Sequence, residues 1–215
     1  MYDLLYNSIQ DVDLSICGHS VIYDNCIKTN SKGIEKYLTE ELLWEEVFGK
    51  LNNAVWNKLF KREYLNDIRF DLGFAHGEDL IFNIMYLKKC QKGRIVDVPM
   101  YNYYKRGDSI TTGKFTRRKL KEIESKDEAL RLVNEIYPPM IFTAKKYCFR
   151  ARMNICRNIY KIREEYTYKL QLTEYEQYIK NNYKKIRKTL RLKERLEVFV
   201  FLKVKKLYKL LVKFY

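Results

Sequence analysis

The pattern of the chain changes near Gly113, and that change restricts it to folds built from two dissimilar parts. Residues 1 to 113 carry 14 Lys and Arg against 16 Asp and Glu, net −2; residues 114 to 215 carry 28 against 11, net +17. The formal excess of +15 therefore sits in the second part. Before the boundary, apolar residues switch between helical and strand-like spacing, and after it the spacing is helical throughout. An α/β part followed by a basic all-helical part is expected. With 47% hydrophobic and 15% aromatic residues, the chain has enough apolar side chains to bury real cores.

Within the first part, Tyr2 to Ile9 has helical spacing, and Leu14 to Cys17 and Ser20 to Tyr23 read as two short strands around Gly18. Thr39 is placed to cap a helix carrying Leu42, Leu43, Val47 and Phe48. Leu80, Ile81, Ile84, Met85 and Leu87 predict a further helix, and Arg94 to Val98 and Met100 to Tyr104 predict two strands hinged at Pro99. In the second part Leu120, Ile123, Leu130, Leu132, Val133 and Ile136 share one helical pattern, which Pro138 and Pro139 interrupt. Helices are expected over about 141–165, 174–190 and 194 to the end, so that residues 114–192 form a helical region and 193–215 a basic amphipathic tail.

The five cysteines are odd in number, widely spaced and without a Cys-x-x-Cys pair, which argues against a disulfide framework or zinc site and for buried thiols in a reducing compartment. MYDLLYNSIQDVD has acids where a signal peptide carries bases, and the chain has no uncharged apolar run of membrane-spanning length. A cytoplasmic location is expected. The basic charge raises nucleic acid as a partner, yet no recognisable RNA-binding motif accompanies it, and solvated helix faces are the commoner source of such charge.

Four segments of the first part occur in an informative order: Asp13-Leu14-Ser15-Ile16-Cys17-Gly18; Val55-Trp56-Asn57-Lys58-Leu59-Phe60-Lys61-Arg62; Arg69-Phe70 followed by Gly77-Glu78-Asp79-Leu80-Ile81-Phe82-Asn83; and Tyr101-Asn102-Tyr103-Tyr104 with Arg106 and Ser109-Ile110-Thr111. Together they resemble the second half of family 2 glycosyltransferases that build capsular and other surface polysaccharides. The resemblance covers residues 1 to 113. It implies the acceptor-side half of a GT-A fold, followed here by the basic helical region. In a complete enzyme of this kind, sugar passes with inversion from a nucleotide sugar to a glycan or lipid-linked acceptor, with a divalent metal, Mg or Mn, held by an Asp-x-Asp motif. The resemblance further implies that the nucleotide-binding half and its metal ligands lie outside this chain, which would then be inactive alone. A truncated remnant, a partner gene supplying a separate N-terminal half, and a misassigned start are the alternatives.

By this resemblance Asp79 is the base that takes the acceptor hydroxyl's proton; Glu78 is its weaker companion. Read from position alone, both are favourable first-turn acids on a helix dipole. Trp56, Asn57 and Lys58 combine an aromatic face with polar groups, as a sugar-binding wall needs. Asn57 and Lys58 fit that role and a structural one equally well, and Trp56 fits a core position better. By the same resemblance Arg106 and Ser109 would meet the diphosphate from the acceptor side, although an arginine before a turn is more often solvated. His76 reads as a loop histidine, and no metal ligand is assigned.

On a helix through the tail, Val204, Leu207, Tyr208, Leu210, Leu211 and Phe214 form one face, with Lys205, Lys206, Lys209 and Lys213 opposite. Such a helix suits either peripheral attachment to the anionic inner face of the cell membrane or packing on the domain. Two functions follow as expectations. One is a split or truncated glycosyltransferase without a nucleic-acid partner; the other is a non-catalytic basic helical module for nucleic acid or an anionic membrane surface.

Overall fold

A computed structural model of the chain describes residues 1–31, 33–70, 73–74, 76–105 and 115–212. The chain is mixed α/β and divides into two compact units, Met1–Gly73 with Gly77–Lys114, and Phe74–His76 with Phe115–Tyr215.

The first unit is built on a mixed sheet. After helix α1 (Tyr2–Ser8) come β1 (Leu14–Ile22), β2 (Ile27–Asn30) and β3 (Glu35–Thr39). Helix α2 (Glu40–Trp44) follows and runs into a π-helical turn, Glu45–Gly49; then come β4 (Lys58–Phe60), α3 (Glu78–Leu87) and β5 (Lys92–Tyr104). The strand order is β2-β1-β5-β3, with β4 also paired to β1. Among the described strand pairs only β1 and β5 run parallel, and the long connection between them includes α2 and α3. Leu14, Ser15, Ile16 and Cys17 are all buried, so the start of β1 is covered on both faces.

Two expectations about strands are corrected. Neither Gly18 nor Pro99 ends a strand, because they face each other across a bulge: Cys17 pairs with Val96, Gly18 with Pro99 and His19 with Tyr101. A bulge needs no ladder hydrogen bond from Pro99, and the extra residues of β5 crowd Gly18. A β-carbon there would lie 2.8 Å from an Asp97 carboxylate oxygen and 3.0 Å from the Val98 carbonyl. The bulge is fixed from its other side, where Gly33 N–H donates to Asp97 O (3.0 Å) and Asp97 N–H to Ile34 O (2.9 Å).

Asp13 ties the sheet to α3. Its carboxylate accepts from the N–H groups of Gln91 (2.8 Å) and Lys92 (3.0 Å) and from the Tyr64 hydroxyl (3.1 Å). The buried Tyr86 hydroxyl donates to Asp13 O and accepts from Lys61 N–H, both at 2.7 Å. Thr39 caps α2, its hydroxyl accepting from Leu42 N–H (3.5 Å).

The second unit is helical: α4 (Glu122–Ile136), α5 (Ile141–Ile162), α6 (Lys169–Ile186), α7 (Leu192–Lys203) and α8 (Lys205–Leu211). Pro138–Met140 form a 3₁₀ turn leading into α5. One core draws Ile123 from α4, Phe149, Ile155 and Ile159 from α5, Leu172 and Ile179 from α6, and Val198, Phe201 and Tyr208 from α7 and α8. Arg152, buried in α5, makes a bidentate pair with Asp127 (2.7 and 2.9 Å) and stacks on Tyr178.

The tail departs from the single helix expected. Val204 adopts φ −131°, ψ 59° and separates α7 from α8. Tyr208 and Val212 are buried, Tyr208 edge-on to Phe201 at 5.0 Å, while Lys205 and Lys209 pair with Glu176 (2.5 Å) and Glu165 (3.0 Å). Part of the expected lysine face is thus spent on the bundle. Val204, Leu207, Leu210 and Leu211 are exposed, and Lys213 and Phe214 lie outside the described residues. Among the cysteines, Cys26 is exposed and the other four are buried free thiols. Among the described residues no helix is long and apolar enough to cross a membrane.

Candidate functional site

The first unit contains a cleft of about 1030 Å³. Gly18 and His19 of β1, Asp97 and Tyr103 of β5, the segment Lys50–Ala54, Trp56 and Asn57, and Asp79 at the start of α3 all line it. The bulge therefore does more than join two strands: it brings Asp97 and His19 to the same cavity.

Trp56 is partly exposed on the cleft wall, not in the core. Its indole stacks on Tyr101 (4.2 Å between centroids, 19° between planes) and Tyr103 (5.5 Å, 17°), and His19 meets it edge-on at 5.1 Å. Tyr101 and Tyr103 are two residues apart on β5, so alternation puts both rings on one face of the strand. The buried tryptophan is Trp44, in contact with Phe48.

Asn57 and Lys58 are buried and hold the segment that carries Trp56. Asn57 Nδ2 donates to Cys17 O (3.0 Å), and Cys17 N–H donates back to Asn57 O (2.9 Å). Lys58 Nζ donates to the carbonyls of Asn52 and Ala54, both at 2.6 Å, and to Asn57 Oδ1 at 3.1 Å. Asn83 of α3 completes the clamp, donating from Nδ2 to Asn53 O (2.8 Å) and Asp79 O (2.7 Å). The aromatic wall and the helix bearing Asp79 are thus linked through backbone carbonyls. Lys58 accordingly points its ammonium into the protein, and Asn57 spends its amide N–H on β1.

Asp79 is the second residue of α3, in its first turn behind Gly77, whose φ of 86° lets the chain turn sharply into the helix while its carbonyl accepts from Leu80 and Ile81 N–H. Its carboxyl is half-buried, and desolvation raises its pKa above the ordinary carboxylate value, helped by Glu78 and opposed by Lys58. Asp79 lines the cleft and Glu78 does not, which separates two acids adjacent in sequence. His19 is pushed the other way: burial and the Lys58 charge lower its pKa against the pull of Asp97, leaving a neutral imidazole at neutral pH.

Arg106 and Ser109 lie outside the described residues, and His76 lies in a bend before Gly77. Among the described residues no three His, Cys, Asp or Glu side chains form a group able to hold a metal ion. His19, Asp97, Tyr101 and Tyr103 were not singled out as site residues from sequence. The i, i+2 tyrosines were the available signal, and they gain meaning only once β5 is known to pass Trp56.

Compared with models of known families and with curated proteins, the chain matches no family model and has no significant match to a curated protein.

Proposed function

We propose that the first unit is the acceptor-binding side of a GT-A-type family 2 glycosyltransferase, with Asp79 as general base. One observation carries the reading: a half-buried carboxylate of raised pKa and an aromatic wall line the same cleft. Pyranose C–H faces pack on aromatic rings, and a base of raised proton affinity suits removal of a hydroxyl proton. In the reaction, a hydroxyl of the acceptor glycan, bound against Trp56, gives its proton to Asp79 as its oxygen attacks the anomeric carbon of the donor. The bond to the nucleoside diphosphate breaks on the opposite face, which inverts the configuration. The donor side would come from a nucleotide-binding half beyond this chain, as part of a longer protein or as a separate one.

Acceptor binding is the testable part for this chain alone. Trp44 is buried and Trp56 lines the cleft, so intrinsic fluorescence reports on the site. Titration with fragments of bacterial surface polysaccharides should change the emission saturably, and Trp56→Phe should remove the change. Binding that leaves the Trp56 signal unaltered, or no binding across a broad panel of such glycans, would contradict the reading.

A further inference from the structure

The corner where α6 passes into α7 combines two properties that neither the cleft nor the helical core uses. Between positions 180 and 195 stand eight Lys and Arg against one acid, Glu194, and Arg150 of α5 holds that acid at 2.6 Å. Lys184, Lys185, Arg187 and Lys188 are exposed, and none is in an ion pair among the described residues. They differ in this from Lys205 and Lys209 of α8, whose charges meet Glu176 and Glu165.

Directly after these cations, α7 exposes Leu192, Leu196 and Phe199 to 72%, 58% and 54%. The spacing i, i+4, i+7 puts them on one helix face, while Val198 and Phe201 on the other side fill the core. The helix is therefore apolar on two sides, only one of which the bundle covers.

We propose that this corner docks peripherally on an anionic lipid bilayer. The cations complement acidic headgroups, and the two leucines and the phenylalanine are placed to enter the boundary between headgroups and acyl chains. A nucleic acid would satisfy the cations but give the aliphatic leucines nothing to bury against, since its backbone takes polar contacts and its bases prefer aromatic faces. This surface belongs to the second unit and stands independently of the reading of the cleft.

The test is flotation of the full chain with vesicles of phosphatidylcholine alone, or of phosphatidylcholine with one-third phosphatidylserine, at low and physiological salt. The chain should float with the mixed vesicles, stay behind with the neutral ones, and detach as salt screens the headgroups. Replacing Lys184, Lys185, Arg187 and Lys188 together by Gln should weaken binding about tenfold or more, as each such cation contributes several-fold. Leu192→Ser with Leu196→Ser and Phe199→Ser should also weaken it, and Lys205→Gln with Lys209→Gln should not. The exposed substitutions leave the core intact, which an unchanged circular dichroism spectrum verifies. Failure to float with anionic vesicles, equal flotation with neutral ones, or full binding by either corner variant overturns the proposal. So does binding of an RNA oligonucleotide that the Gln variant loses and the Ser variant keeps, in the absence of vesicle binding.

Discussion

Burial lowers the proton affinity of the Lys58 ammonium from the ordinary 10.5 to about 7, against the opposing pull of Asp79 and Glu46. Between those values the unfolded chain holds more protons at this site than the folded one, so the site's contribution to stability rises with pH across that window. Lys58→Met should flatten this part of the profile, measured as the denaturation midpoint at several pH values. It should also destabilise the first unit by about 1–3 kcal/mol, because the Asn52 and Ala54 carbonyls lose their donor. A variant as stable as the wild type with the same pH slope would remove Lys58 from its clamping role. Asp79 has the opposite sign. Its pKa is higher in the folded state, so the folded chain binds the extra proton just above 3.8 and stability falls as pH rises through that window. Asp79→Asn should melt higher than the wild type at neutral pH and lose that advantage below 3.8. Under the proposed function, that cost to the fold is the one a base poised for chemistry carries.

At the scale of elements, the bulge between β1 and β5 sets the geometry of the cleft. Gly18→Ala drives a β-carbon against Asp97 and Val98 and should cost about 1–3 kcal/mol in equilibrium unfolding, the usual range for overpacking. The same bulge explains which elements were legible in sequence. The Thr39 cap, the helix after Gly77 and the helical second part follow from local signals, and each is present. Gly18 and Pro99 each look like a strand break when considered singly, and only their mutual pairing lets both strands continue. Trp56 was expected in the core and lines the cleft instead, because whether an indole is covered depends on what β5 brings to it. The tail shows the same limit: periodicity gives two faces of a helix, but not the break at Val204 or the acids Glu176 on α6 and Glu165 between α5 and α6 that claim Lys205 and Lys209.

For the whole molecule, the charge division coincides with the structural division into a near-neutral unit with a cleft and a basic helical unit with an exposed apolar corner. The proposed function assigns donor binding to residues beyond this chain. Calorimetry of the 215-residue chain with UDP- and GDP-sugars and Mn²⁺ should therefore detect no tight, metal-dependent binding. Heat from such binding at micromolar ligand would contradict that assignment. The most direct measurement joins the chain to a donor-binding half, from a neighbouring gene or a close relative, and follows sugar transfer to a glycan acceptor in wild type, Asp79→Asn and Glu78→Gln. The account predicts transfer by the wild type, a loss of about 10² to 10⁴ in turnover for Asp79→Asn with donor affinity kept, and a milder effect for Glu78→Gln. Transfer by Asp79→Asn at the wild-type rate would contradict it.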